Sequence, residues 1–408
     1  MVKLFWGQKA RRYWLREKQG AQWLAAAGVA TPRLQLASPL ENGLLALVFE
    51  CLDPAESAAR RWQRSAHEAE KKEVLSALFG LTGQCHQHGC FQSDLHLDNF
   101  LFSGDRLYAI DGDGMRQPGA SDKPLSPRNC VRNLALFIAQ LPLRDEKLAL
   151  SCLPDYLQKN PLPPDWLATV LAKAINRARR RRRHAYIQKS TRSCTEFVSD
   201  DSFLQHSVYR RDGDGPQLQA FLADPDGYMR QGTLLKDGNS ATVVRVGDWV
   251  IKRYNLKNLV HAISRGLRPT RAWISWRNAH RLKASAIDTP EAIAVVEKRF
   301  GLWRRTGYYV TRAAQGHSAE NLTEISPSAQ CLAELFQLFY RLKIYHGDCK
   351  ASNFLVTGNQ VEVIDLDAMG ECRYQWRYLH HYRKDRKRFL RNWPKDSELG
   401  SYFDQHLP

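Results

Sequence analysis

The sequence predicts an α+β protein made of two related modules in tandem. Two observations carry that prediction. One short polar pattern occurs twice. It reads Asp94-Leu95-His96-Leu97-Asp98-Asn99-Phe100-Leu101 with Asp111 behind it, then Asp348-Cys349-Lys350-Ala351-Ser352-Asn353-Phe354-Leu355 with Asp365 behind it. In both copies Asn follows the first Asp by 5 positions and the last Asp follows it by 17. The second observation is register. Thr31-Pro32 and Thr289-Pro290 lie 258 positions apart and the leading Asp residues 254 apart, so some sixty residues repeat with one small indel.

The elements follow in order. Arg11 to Gly28 places Trp14, Leu15, Ala21, Leu24 and Ala25 near one helical face, and Gly28 closes it. Ala272 to Ala284 is its counterpart. Leu44 to Glu50 and Gly307 to Thr311 are β-rich stretches where a strand and hinge would grip a planar base. Val74 to His88 and Ala329 to His346 are the helices that feed the two Asp loops. Beyond the last Asp the halves diverge. Asn129 to Leu143 reads as an apolar helix in the first, Tyr374 to Trp393 as a basic, aromatic helix in the second. Turn formers at Gly213-Asp214-Gly215 place the boundary there, giving modules 1–212 and 213–408.

Composition narrows the class. The chain has 408 residues, enough for two cores, with 43% hydrophobic and 25% charged residues as in soluble globular proteins. No apolar run reaches the ~18–20 residues of a membrane helix, and the first residues lack a signal-peptide pattern. The nine cysteines are scattered and never spaced Cys-x-x-Cys, which points to reduced thiols in the cytosol and away from zinc. Cys349 is either a spacer in its loop or a redox switch. A net charge of +18 calls for an anionic partner. No zinc-finger spacing or RNA-binding aromatic signature accompanies it, so no specific nucleic acid is expected, and phosphate-rich lipid fits as well. The run Arg179 to Arg183 is either a solvated helix face or a patch for phosphate groups.

The repeated pattern is the chemistry of phosphoryl transfer: an Asp that orients a hydroxyl, then Asn and Asp as oxygen ligands for magnesium. A bare match is expected about 0.05 times in a chain of this size. Two matches with Phe-Leu after the Asn and a β-branched residue before the last Asp are not chance. In the second module Asp348 is the candidate base, Lys350 the cation that neutralises the moving phosphoryl group, and Asn353 and Asp365 the magnesium ligands. Asp367 either assists or is solvated. Leu234 to Tyr254 reads as strand, turn, strand and strand. Gly238, Asn239 and Ser240 form the turn over the phosphates, and Lys252 lies where a lysine reaches them.

These residues resemble a family. His346-Gly347-Asp348 with Asn353 and Val363-Ile364-Asp365 is similar to the eukaryotic-type kinase fold in its bacterial small-molecule branch. Trp276 to Leu282 before Thr289-Pro290, and the tail Arg383 to Asn392, resemble the lipopolysaccharide core kinases, the Kdo and heptose kinases. The resemblance implies a bilobal, protein-kinase-like fold, here twice. It implies ATP and Mg2+ as cofactors and transfer of the γ-phosphoryl group to a sugar hydroxyl of the inner core. The expected partners are a lipopolysaccharide core or lipid A intermediate and the anionic inner-membrane surface, with the protein cytoplasmic and peripheral to that membrane.

The first module departs from the pattern. It begins at what resembles the third strand, with Lys3 as the phosphate lysine and Glu17 as its helix partner, so the start of its small lobe is missing. Either the true start lies upstream or this module binds nucleotide poorly. Asp94, Asn99 and Asp111 keep the catalytic and magnesium positions, while Gln92 replaces the histidine before the loop and His96 stands where Lys350 stands. In the second module Ser275 occupies the place of Glu17, which leaves Lys252 without the helix glutamate of protein kinases, so either another acid substitutes or the phosphates alone hold the lysine. The competing readings are a protein or antibiotic kinase of the same fold, a nucleotide-binding scaffold without turnover, and a nucleic-acid binder driven by the Arg run.

Overall fold

The computed structural model describes residues 1–119, 123–255 and 268–408. The chain divides into two compact units, Met1–Arg181 and Arg182–Pro408. The sequence placed this division at 213. The strands Phe197–Asp201 (β6) and Gln205–Arg210 (β7) instead extend the sheet of the second unit, since β7 pairs with Ala292–Phe300 (β11). The long helix Pro164–Lys189 (α4) contains the division.

In the first unit, Val2–Phe5 (β1), Leu34–Pro39 (β2) and Leu45–Phe49 (β3) form an antiparallel sheet in the order β1-β3-β2. The helix Ala10–Ala26 (α1) lays Ala21 and Trp14 against Leu47 and Phe49. The helix Glu68–Gln87 (α2) carries Leu75, Leu78 and Phe79 into a core shared with Pro127–Ile138 (α3). The hairpin Phe100–Ser103 (β4) and Arg106–Ala109 (β5) follows the Asp94 loop. One glycine pair sets how α1 meets the Asp111 turn: a Cβ on Gly20 would lie 1.9 Å from the Gly112 carbonyl oxygen.

The second unit has a seven-stranded sheet. Thr233–Gly238 (β8), Ala241–Val246 (β9) and Trp249–Tyr254 (β10) are antiparallel neighbours, then come Trp303–Arg312 (β12), β11, β7 and β6. Val243, Val244, Val250 and Ile251 supply the β-branched residues that suit a pleated, half-buried surface. The helix Arg271–Lys283 (α5) starts at Thr270, whose hydroxyl accepts the Trp273 N–H at 3.3 Å, and buries Trp276, Ala279 and Leu282. Asn278 stands where Gly20 stands in α1. Its amide donates to the Leu366 and Met369 carbonyls, both at 2.8 Å, so side-chain bonds replace close backbone approach at the same turn. Below lie Pro327–Leu342 (α6), the hairpin Phe354–Thr357 (β13) and Gln360–Val363 (β14), Gln375–Leu390 (α7) and Glu398–His406 (α8). Phe336, Phe354, Phe389 and Phe403 are buried where these elements meet.

The arginine run fits neither of its two readings throughout. Arg179 donates to Glu146 and to the Leu141 and Ile138 carbonyls, at 3.1, 2.7 and 3.1 Å. Arg183, one turn on and buried, pairs with Glu371 at 2.6 Å in the second unit. Both are structural residues. The nine cysteines are free thiols, and among the described residues no helix is long and apolar enough to cross a membrane.

Candidate active site

The Asp348 loop of the second unit is held from three sides. Asn353 donates its amide N–H to the Asp348 carbonyl at 2.7 Å. His346 is buried, places Nε2 3.0 Å from the Ile364 carbonyl, and accepts the Asp348 N–H on Nδ1 at 3.4 Å. Burial keeps His346 neutral by lowering its pKa. From α7, Asp385 accepts the N–H groups of His346 at 2.7 Å and Gly347 at 3.0 Å. Burial pushes its carboxyl up, and those two N–H groups hold it back. Gly347 adopts φ +81, where an added Cβ would lie 2.4 Å from the Ala368 carbonyl oxygen, so this position requires glycine.

Asp365 follows β14 with φ 58 and ψ 58, the left-handed region that few non-glycine residues adopt. This turn brings its carboxylate to Lys252 of β10, with which it forms an ion pair. Lys252 Nζ also lies 3.3 Å from Asp367, whose side chain is buried and accepts a second bond, from Arg271 at 2.7 Å. The acids that hold Lys252 are therefore Asp365 and Asp367. Ser275 bonds the Tyr254 hydroxyl instead, at 2.9 Å. Burial raises the Asp365 pKa, but Lys252 outweighs it, and the carboxyl lies below its ordinary value.

These groups open on a cleft of about 650 Å³ within the second unit. Gly238, Ser240, Lys252, Asp348, Asn353 and Asp365 line its polar end. Val243, Tyr309, Leu355 and Ile364 line an apolar slot, the usual composition of a small-molecule site. Asn239 sits at the apex of the β8–β9 hairpin and, like Lys350, outside the lining. Lys350 Nζ is 3.8 Å from Asp348. Among the described residues no three His, Cys, Asp or Glu side chains converge as a metal cage. With the Asn353 nitrogen committed to the Asp348 carbonyl, the donor set is one amide oxygen and one carboxylate. That set fits a hard cation whose other ligands are phosphate and water. Cys349 is buried and its thiol is pushed up by burial, which makes it an inert spacer and not a redox switch.

The first unit repeats the loop scaffold with other residues. Asn99 donates to the Asp94 carbonyl at 2.8 Å, and Asp111 has φ 66 and ψ 72. Gln92 does part of what His346 does: its oxygen accepts the Asp94 N–H at 3.3 Å, while its amide nitrogen donates at 3.0 Å to the Asp111 carbonyl, one residue beyond the counterpart of Ile364. Asn133 of α3 donates to the Gln92 carbonyl at 2.8 Å and also bonds the buried His86. Lys3 pairs with Glu17 at 2.6 Å and reaches Asp111 at 3.5 Å. The difference is enclosure. Lys3, Glu17 and Asp111 border an open depression of about 360 Å³ that Asp94 and Asn99 do not line. The Asp94 side chain is 65% exposed against 28% for Asp348, and its neighbour is His96 at 3.4 Å.

Sequence reasoning missed Asp385 and Arg271. A lone acid inside Arg383-Lys384-Asp385-Arg386-Lys387-Arg388 was the available signal for the first. Comparison with known proteins bears on the second unit. Residues 236–397 match the lipopolysaccharide kinase (Kdo/WaaP) family model. The resemblance seen in the loop residues is thus shown for this segment, which spans the cleft from the β8–β9 hairpin through α7. No curated protein matches the chain. Three similar solved structures are a WaaP in complex with acyl carrier protein, an aminoglycoside-3'-phosphotransferase of type VIII and WbdD. The first is 19% identical and covers 43% of this chain and 79% of its own, with TM-score 0.30. The second is 14% identical, with coverage of 47% and 91% and TM-score 0.31. The third is 15% identical, with coverage of 42% and 45% and TM-score 0.27.

Proposed function

We propose that this chain is an ATP-dependent kinase that phosphorylates a Kdo or heptose hydroxyl of the lipopolysaccharide inner core, and that its second unit is the catalytic one. The observation that carries this reading is one cleft, inside the Kdo/WaaP-matched segment, lined by Lys252, Asp348, Asn353 and Asp365. The base of ATP fits the apolar slot. Its phosphates run under the β8–β9 hairpin, where Gly238 allows close backbone approach. Lys252 moves from Asp365 to the phosphate oxygens. Asn353 and Asp365 hold magnesium, which supplies charge neutralisation for the phosphates when bound. Asp348 orients the acceptor hydroxyl and takes its proton, and Lys350 offsets charge on the transferring group.

Asn99 and Asp111 reproduce the second unit's loop bond and left-handed turn, and Gln92 accepts the Asp94 N–H as His346 accepts that of Asp348, which supports two tandem modules of one ancestry. The open depression at Lys3 favours a supporting role for the first. An excess of 18 positive charges suits an anionic acceptor at the cytoplasmic face of the inner membrane, and disfavours a cationic drug as substrate. The test is transfer of labelled γ-phosphate from ATP–magnesium to purified inner-core lipopolysaccharide by the full chain. Labelled oligosaccharide supports the reading; ATP binding with no transfer to any sugar acceptor rejects it.

A further inference from the structure

The basic helix α7 does more than buttress the loop. Asp385 anchors α7 to the backbone of His346 and Gly347. One turn further along, Arg388 reaches the reactive carboxylate itself. Its Nη2 lies 2.5 Å from Asp348 Oδ1. The contact is close but poorly aligned: Oδ1 is buried and receives no hydrogen bond among the described residues. The Arg388 side chain is 45% exposed, so the guanidinium caps the carboxylate from the solvent side and is open to a competing anion. A guanidinium gains most from two parallel N–H bonds to a planar or tetrahedral oxyanion, which this contact does not supply. Lys350, 3.8 Å from the other oxygen, adds a second cation at the same carboxylate.

We propose that Arg388 is a specificity-determining residue that admits acceptors carrying a carboxylate or phosphate beside the hydroxyl to be phosphorylated. The acceptor's anion draws Arg388 off Asp348 into a bidentate pair, and Asp348 is then free to accept the hydroxyl hydrogen bond. This rests on the kinase reading above. The acceptor oxygen forms the new O–P bond, the bond from the γ-phosphorus to the ADP oxygen breaks, ADP leaves with that electron pair, and the hydroxyl proton passes to Asp348. Without an anionic acceptor, Arg388 stays on Asp348 and water is not activated.

The experiment compares three acceptors: inner-core lipopolysaccharide as purified, the same material with carboxyls reduced, and the same material dephosphorylated. Each is presented to the full-length wild type, Arg388→Lys and Arg388→Gln. The wild type is expected to lose on the order of ten- to a hundredfold in kcat/KM on whichever treated acceptor lacks the recognised anion, the worth of one charge-assisted pair. That arm also distinguishes carboxylate from phosphate. Arg388→Gln is expected to abolish the discrimination, mainly through KM, and to raise ADP release in the absence of acceptor. Arg388→Lys should restore part of the discrimination. An Arg388→Gln enzyme that is slower on all acceptors by one factor, with the discrimination intact, overturns the proposal, as does a wild type indifferent to both treatments. A wild type that labels none of the acceptors instead rejects the kinase reading itself.

Discussion

Asp385→Ala is the substitution whose cost the structure states most directly. The carboxylate is buried and accepts the N–H groups of His346 and Gly347 at 2.7 and 3.0 Å. Alanine leaves two backbone donors without an acceptor, and each such loss costs about 1–3 kcal/mol. Relief from burying a charge offsets part of this, since burial already pushes the Asp385 carboxyl up. The net expectation is about 2–4 kcal/mol off the second unit. For a unit of this size that is a fall of roughly 5–15 °C in melting temperature. Asp385→Asn keeps one acceptor oxygen and should cost about half as much. The loop that loses its anchor carries Asp348 two residues on, so phosphate transfer should fall further than stability does. The assay is differential scanning calorimetry, following the transition that ATP–magnesium shifts, with transfer rates measured well below it. An Asp385→Ala protein with unchanged melting and transfer would refute the anchoring argument.

Three further outcomes are expected. Lys252→Met should lower transfer by on the order of 10²–10³-fold, as for loss of one preorganised charge partner, read as kcat in the labelled-phosphate assay. Gly20→Ala forces a Cβ to within 1.9 Å of the Gly112 oxygen and should destabilise the first unit by about 1–3 kcal/mol, visible as faster amide exchange along α1. His86 is buried against Tyr156 and Asn133, and burial lowers its pKa to about 4 from an ordinary 6.5. It must remain neutral in the folded state, so its contribution is complete above pH 6.5 and is lost as the pH falls toward 4. The loss is about 3 kcal/mol across that window. Denaturant unfolding of the first unit at pH 7 and pH 4.5 should show that slope in the wild type and a smaller one in His86→Gln.

The loops were legible in the sequence because their chemistry is local: Asp, Asn and Asp lie within 17 positions and the strands between them alternate cleanly. The β8–β10 meander and α5 were legible for the same reason. What was not legible depends on distant partners. The division was set at the turn formers near Gly213, yet Phe197–Arg210 joins the second unit because β7 pairs with β11 some ninety residues on, and no periodicity reports such pairing. Ser275 left Lys252 without a helix acid, and the acids that hold it, Asp365 and Asp367, lie 113 and 115 positions along the chain from the lysine. Gln92 looked like a defect beside His346, but it accepts the Asp94 N–H as His346 accepts that of Asp348, and it ties the loop to the Asp111 carbonyl one residue beyond the histidine's own carbonyl partner.

The measurement that bears most directly on the central claim is labelled phosphate transfer from ATP–magnesium to inner-core lipopolysaccharide, run side by side with full-length wild type, Asp348→Ala and Asp94→Ala. The account predicts that Asp348→Ala loses on the order of 10²–10⁴-fold while Asp94→Ala keeps most of the wild-type rate. Loss with Asp94→Ala and retention with Asp348→Ala would contradict it.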